Sequence, residues 1–309
     1  MDAFVPESHL HSKANENMDF CIRMRLCVED PTILWKNGGE MKLGKIIGYG
    51  WSSDVFEYGS DKVIKLFKNK NSIRSSDTMA YYEYRKTKKI FENGLPAPEV
   101  FDFIKYGDRY GFVLEKIDGH TLYNEIAFFL SNSVKEKRFY ENAFRSEQVS
   151  GIIRKMAKTL SIIHNTQHDF DQHGFMDTLD VLLEKTFSNY DTEAYKIFSS
   201  LPEGHCILHT DFHLDNIIYA DDKLYLVDWL HSTIGNHMFD VANIVNMFEE
   251  FASGKKDNYD NDFFYHYKDK AISLFLDEYK RQSGMELLNL EEWQHIGRTY
   301  RKWIIVVNG

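Results

Sequence analysis

Short alternating and apolar runs crowd between Met41 and Phe67, separated by glycines, and predict several neighbouring strands. A helical pattern follows from Thr78 to Asn93. Asp77 or Ser76 is placed to cap it, and Gly94, Pro96 and Pro98 stop it. Phe101–Tyr106 and Tyr110–Lys116 read as paired strands. After Gly119 the period changes and the chain reads as mostly helical. There Ile152, Ile153, Met156, Leu160 and Ile163 form one apolar stripe. Two β-prone runs interrupt the helices: Asn216-Ile-Ile-Tyr-Ala220 and Lys223-Leu-Tyr-Leu-Val227. Asp221-Asp222 between them suits a two-residue hairpin turn. Ser253 to Asp262 reads as an exposed loop. Upstream, Phe20 to Val28 reads as a strand, Glu29-Asp-Pro31 and Asn37-Gly-Gly39 as turns, and residues 1–17 as a polar, mobile tail.

This order predicts an α+β protein of two lobes. Residues 1–41 form an N-terminal extension, 42–118 a strand-rich lobe with one helix, and 119–309 a helical lobe carrying the hairpin. A cleft between such lobes is a common place for a ligand. The chain has 309 residues, with 43% hydrophobic and 15% aromatic content, enough for a sizeable core. No apolar run approaches the roughly 20 residues that span a bilayer, and the first residues lack the pattern of a signal peptide. Three cysteines, Cys21, Cys27 and Cys206, have no zinc-like spacing, so a reducing cytoplasm is the expected compartment.

Charge is uneven. The net charge of −10 divides into −3 for residues 1–41, +3 for 42–118 and −10 for 119–309. A basic front suits phosphates and an acidic rear suits a cationic second ligand; a merely solubilising surface explains the same numbers. Nucleic acid and anionic membranes are poor partners for so acidic a chain.

The densest chemistry lies from His209 to Asp228. Counting back from the turn puts Ala220 opposite Lys223 and Asn216 opposite Val227. Asn216 and Asp228 then share the open end of the hairpin, where their oxygens suit a hard cation that keeps water and phosphate ligands. A slip of one residue would separate them. Asp211 is placed to take a proton from a hydroxyl. His209 and His213 flank it, and two readings compete for them. One is a metal site, for which no further ligand cluster is nearby. The other gives His209 a packing role and lets His213 position or neutralise phosphate.

Other positions are weaker alone. Gly48-Tyr-Gly50-Trp-Ser-Ser53 sits between two strands, where backbone N–H groups could meet phosphate; an ordinary glycine hairpin fits as well. Lys65 lies in an apolar strand. Met79, Glu83 and Ile90 share a helical face, and a carboxylate on that face needs a partner, for which Lys65 is the obvious choice. His164 reads as a satisfied core histidine. Asp240, in an apolar segment, reads as a group that orients backbone near the site.

Together, the glycine loop, strand lysine, helix glutamate, His-x-Asp-x-His-x-x-Asn and Asp228-Trp229 resemble the aminoglycoside phosphotransferase and choline kinase family, with its protein-kinase-like fold. The resemblance covers residues 42–245. It implies ATP or GTP as co-substrate, with Gly48, Gly50, Ser53, Lys65 and Glu83 at its phosphates and the hinge at Glu115 and Ile117 at its base. It implies Mg²⁺ at Asn216 and Asp228, Asp211 and His213 in catalysis, and His209 and Asp240 as supports. The acceptor it implies is a hydroxyl on a small molecule: an aminoglycoside, choline-like alcohol, sugar, homoserine or methylthioribose. Residues from Thr121 to Pro202 and beyond Phe248 would shape its pocket. Thr210 stands where the family usually has glycine, and His237 where it often has proline. A protein kinase is disfavoured, because no Ala-Pro-Glu segment follows Asp228-Trp229. A nucleotide-binding pseudokinase is a rival that the intact set of residues disfavours.

Overall fold

The computed structural model describes residues 36–37, 42–69, 76–126, 147–170, 176–187, 191–253 and 259–308. The expected tail, the strand at Phe20–Val28 and the turn at Glu29–Pro31 lie outside them. Two units divide the chain: one takes in the chain to Arg85 with Val100–Lys116, the other Lys86–Glu99 with Ile117 onward.

The first unit is a six-stranded sheet: β1 (Lys36–Asn37), β2 (Ile46–Tyr49), β3 (Ser53–Tyr58), β4 (Lys62–Phe67), β5 (Val100–Tyr106) and β6 (Arg109–Glu115). Their order is β1-β5-β6-β4-β3-β2, antiparallel except that β1 runs parallel to β5. Asn37, expected in a turn, pairs with Lys105 in that parallel ladder. Strand β4 is covered on both faces, which explains its nearly continuous apolar sequence. Ile64 and Leu66 join Ile104 and Val113 in one cluster. Alternation sends Val63, Lys65 and Phe67 to the other face.

Helix α1 (Ser76–Glu92) begins where the sequence predicted, with Asp77 accepting from the Thr78 N–H at 2.8 Å. It ends at Gly94, whose φ of 72° is the left-handed conformation that glycine adopts without strain. The N–H of Leu95 then closes the end on the Ile90 carbonyl at 3.2 Å. Tyr81 and Tyr84 set their rings edge-on to Phe103, and Tyr84 also meets Phe112.

The second unit is helical: α2 (Glu147–Asn165), α3 (Leu179–Phe187), α4 (Thr192–Phe198), α5 (Met238–Ser253), α6 (Tyr259–Ser283) and α7 (Leu290–Asn308). Helix α6 packs against α2 and α5, and α7 against α5. The expected stripe on α2 is buried throughout. Residues 259–262, expected in a loop, are already helical. Between the helices lie β7 (His120–Thr121), β8 (Cys206–Leu208), β9 (Ile217–Ala220), β10 (Lys223–Leu226) and β11 (Thr233–Gly235). They form two small sheets, β10-β9-β7 and β11-β8. The second of these had no sequence signal, because each strand is only three residues long.

Residues 86–99, counted with the strand-rich part from sequence, belong to this second unit. The reason is physical. Lys86 Nζ donates to the Leu230 and Ser232 carbonyls at 2.8 and 2.7 Å, and the Leu226 N–H donates to the Pro96 carbonyl at 2.7 Å. No helix among the described residues is long and apolar enough to cross a membrane.

Gly111 sits opposite Leu66 in the ladder, and a Cβ there would lie 2.0 Å from the Lys65 carbonyl oxygen. Gly111→Ala must therefore push β4 and β6 apart and displace Lys65. We expect a loss of about 2 kcal/mol in urea denaturation.

Candidate active site

The hairpin has the register that the sequence count gave. Lys223 pairs with Ala220, and Leu226 with Ile217. The Val227 N–H donates to the Asn216 carbonyl at 2.9 Å, so Asn216 and Asp228 stand at the same open end. Asp221 and Asp222 have φ of 48° and 63°, as a type I′ turn requires. Asp228 is also left-handed, with φ 67°. The next side chain, Trp229, is wholly buried and donates Nε1–H to the Leu226 carbonyl at 3.0 Å. This anchor holds Asp228 in its uncommon conformation.

Asn216 is fixed in orientation. Its Nδ2 donates to the Asp211 carbonyl at 3.1 Å and to Asp211 Oδ2 at 3.0 Å. The amide oxygen is therefore the end left for a cation. An amide oxygen and a carboxylate are hard donors, and Mg²⁺ commonly takes one or two protein oxygens beside water and phosphate. The pair fits that ion. Among the described residues no group of three or more His, Cys, Asp and Glu side chains is placed to hold a metal.

The loop before the hairpin is built on Asp240. Its Oδ2 accepts from the His209 N–H at 2.7 Å and its Oδ1 from the Thr210 N–H at 2.8 Å. His209 is fully buried, lies 4.5 Å from the Trp229 ring and donates Nε2–H to the Val227 carbonyl at 3.1 Å. Burial holds its pKa below the usual value, so it stays neutral. His209 thus packs, as one of the two readings had it. His164 is a satisfied core histidine, bonded to Tyr279 and Asp240.

Asp211 and His213 are coupled. His213 Nδ1 accepts from the Asp215 N–H at 3.2 Å, and its Nε2 lies 3.5 Å from Asp211 Oδ2. Burial opposes charge on both. The hydrogen bond and opposite charge outweigh it, lowering Asp211 well below the usual carboxylate range and raising His213. Asp211 Oδ2 thus serves both Asn216 and His213.

In the first unit Lys65 Nζ donates to Glu83 Oε1 at 2.6 Å, and both side chains are buried. The glycine loop is less open than expected. Gly50 N–H closes the turn on the Ser53 carbonyl at 2.8 Å, and Ser53 is buried. The ordinary hairpin reading describes those two residues, while Tyr49 and Trp51 at the tip are 79% and 62% exposed. Glu115 ends β6 opposite Lys62, and the Ile117 carbonyl accepts from the Gly119 N–H at 3.1 Å.

The sequence profile of the phosphotransferase enzyme family matches residues 44–272. The chain belongs to this family. Solved aminoglycoside phosphotransferases share its fold. An aminoglycoside-3′-phosphotransferase of type VIII is 15% identical with TM-score 0.57, over 85% of this chain and 93% of that one. A thermostable mutant of APH(4)-Ia in its apo form is 13% identical with TM-score 0.51, over 86% and 88%. APH(3″)-Id from Streptomyces rimosus is 12% identical with TM-score 0.51, over 86% and 94%. No curated relative matches the sequence. The protein is a phosphotransferase enzyme by family, with the expected α+β, two-lobed, protein-kinase-like fold.

Sequence reasoning missed one support in this phosphotransferase. Lys86 holds the carbonyls just after Asp228-Trp229, yet it lies in a basic run, Arg85-Lys86-Thr87-Lys88-Lys89, that reads as a solvated helix face.

Two outcomes follow for the phosphotransferase. Lys65→Met removes the ammonium bonded to the buried Glu83 carboxylate at 2.6 Å, and should cost about 3 kcal/mol in urea denaturation. Lys65→Met with Glu83→Leu should regain most of that stability. The second outcome concerns acid. Burial pushes His237 down from 6.5 to about 4, against its bond to the Glu286 carbonyl. Between those values the unfolded chain binds a proton that the folded chain refuses. Stability present above pH 6.5 is therefore lost as pH falls through about 4. His237→Asn should make that fall shallower, as read by urea midpoints at pH 7 and pH 5.

Proposed function

We propose that this enzyme moves the γ-phosphoryl group of ATP or GTP to a hydroxyl of a small molecule. A cationic acceptor such as an aminoglycoside is our first choice. The observation that carries the reading is the Asp211 carboxylate: one oxygen is fixed by Asn216, and the Asn216–Asp228 pair stands beside it. The names of the structural neighbours support the acceptor class, and the acidic segment 119–309 supports a cation.

In this reading Lys65, oriented by Glu83, binds α- and β-phosphate oxygens. Gly48, Gly50 and Ser53 shape the loop that covers them, and the segment from Glu115 to Ile117 offers backbone to the base. Mg²⁺ at Asn216 and Asp228 would neutralise phosphate charge. Asp211 Oδ1 accepts a hydrogen bond from the acceptor hydroxyl and aims its oxygen along the line of transfer. Because its pKa is held low, Asp211 is a weak base in the ground state. It takes the proton late, once the oxygen–phosphorus bond is forming. General-base assistance of this kind contributes about 10²–10⁴-fold. His213, raised toward the charged form, adds positive charge on the phosphoryl side. His209 and Asp240 keep the loop in place. We assign the reaction to the cytoplasm, the compartment its cysteine usage suggested.

The test is transfer from γ-labelled ATP and GTP, with Mg²⁺, to aminoglycosides, amino alcohols, sugars and a generic protein. We expect label on one small molecule, and loss of at least about 10³-fold in kcat for Asp211→Asn with nucleotide affinity retained. Near-normal turnover by Asp211→Asn would sink the assignment. Nucleotide binding with no transfer to any acceptor would favour the pseudokinase.

A further inference from the structure

Thr210, immediately before Asp211, has φ 65°. A β-branched residue is a poor fit to the left-handed region, and such a residue persists only where its surroundings over-determine it. Here three hydrogen bonds do so. Thr210 N–H and His209 N–H both donate to the Asp240 carboxylate, and Thr210 Oγ1 donates to the His231 carbonyl at 3.0 Å. The first two depend on where Asp240 points.

Asp240 is wholly buried in the first turn of α5. The ring of His164 at the end of α2 meets it, with Nε2 3.4 Å from Asp240 Oδ2. His164 Nδ1 lies 2.7 Å from the Tyr279 hydroxyl on α6. An ionised carboxylate can only accept, so Nε2 carries the hydrogen and donates it, leaving Nδ1 to accept from the Tyr279 hydroxyl, whose hydrogen it shares with Met285 Sδ at 3.5 Å. Burial, then the neighbouring Cys206 and Asp240, raises the Tyr279 phenol far above its usual value, so the O–H is kept. All three side chains are sealed from water. His237 stacks on Tyr279 as well.

We propose that His164 and Tyr279 are positioning residues: they fix the Asp240 carboxylate, which holds the strained Thr210 peptide and so aims Asp211. A glycine before Asp211 would adopt the same conformation without strain, so loosening Asp240 should cost most when Thr210 is present. The catalytic half of the inference rests on the proposed role of Asp211; the structural half, coupling of His164 and Tyr279 to Thr210, stands without it.

The experiment is a double-mutant cycle on the full chain. His164→Leu, His164→Gln and Tyr279→Phe are each made with and without Thr210→Gly, and kcat, nucleotide KM and Tm are measured. With Thr210 present, Tyr279→Phe should lower kcat about threefold and His164→Leu about tenfold, with nucleotide KM within about twofold. His164→Gln keeps a donor toward Asp240 and should retain most of the rate. In the Thr210→Gly background both losses should shrink to about twofold or less, and the accompanying Tm losses should shrink too. Equal losses in both backgrounds would show simple packing and overturn the proposal. Should His164→Leu fail to fold, the Tyr279→Phe cycle decides. Should no acceptor be phosphorylated, the Tm cycle decides alone: additive Tm losses defeat the coupling, whereas non-additive losses uphold it even though the phosphotransfer reading has failed.

Discussion

A carboxylate sealed from water has to find its hydrogen bonds inside the protein, and Asp240 finds two of them on consecutive backbone amides. That demand shapes the loop around it. Once His209 and Thr210 are held, His209 reaches the Val227 carbonyl, and Val227 in turn gives its N–H to Asn216. The two backbone groups of one valine therefore tie the loop to the hairpin. Asp211, Asn216 and Asp228 are separate in sequence, yet this short chain of bonds leaves them little freedom to move independently.

The first unit solves a similar problem with a cation. Lys65 lies on a strand whose other residues are wholly apolar apart from Lys62 at its start. Its ammonium and the Glu83 carboxylate each make the other tolerable, and the result is a charge held in a fixed place. Fixed charge is what phosphoryl chemistry asks of a protein, since positioning and electrostatics do most of the work. In both units buried ionic groups serve direction more than stability.

What could be read from sequence was what depends on counting. A two-residue turn sets the hairpin register, and with it the meeting of Asn216 and Asp228. Helical spacing put Glu83 on an apolar face and so called for Lys65. Asp240 could be assigned to backbone because a carboxylate among apolar residues has few other uses. What could not be read depends on distant partners. Nothing around Lys86 announces carbonyls about 145 residues away. The β8–β11 pair is too short to show a period, and Gly50 spends its N–H on Ser53, a choice that a glycine pattern does not reveal. Thr210 was visible as a departure from the family habit. Its left-handed backbone was not, because φ is a property of the fold.

The tip of the β2–β3 hairpin carries a largely exposed indole, Trp51, while Trp229 and Trp293 are enclosed in the core. Indole emission shifts to longer wavelength as its surroundings become more polar. Among the described side chains, Trp51 is thus an optical label at the glycine hairpin, spectrally offset from those two enclosed rings.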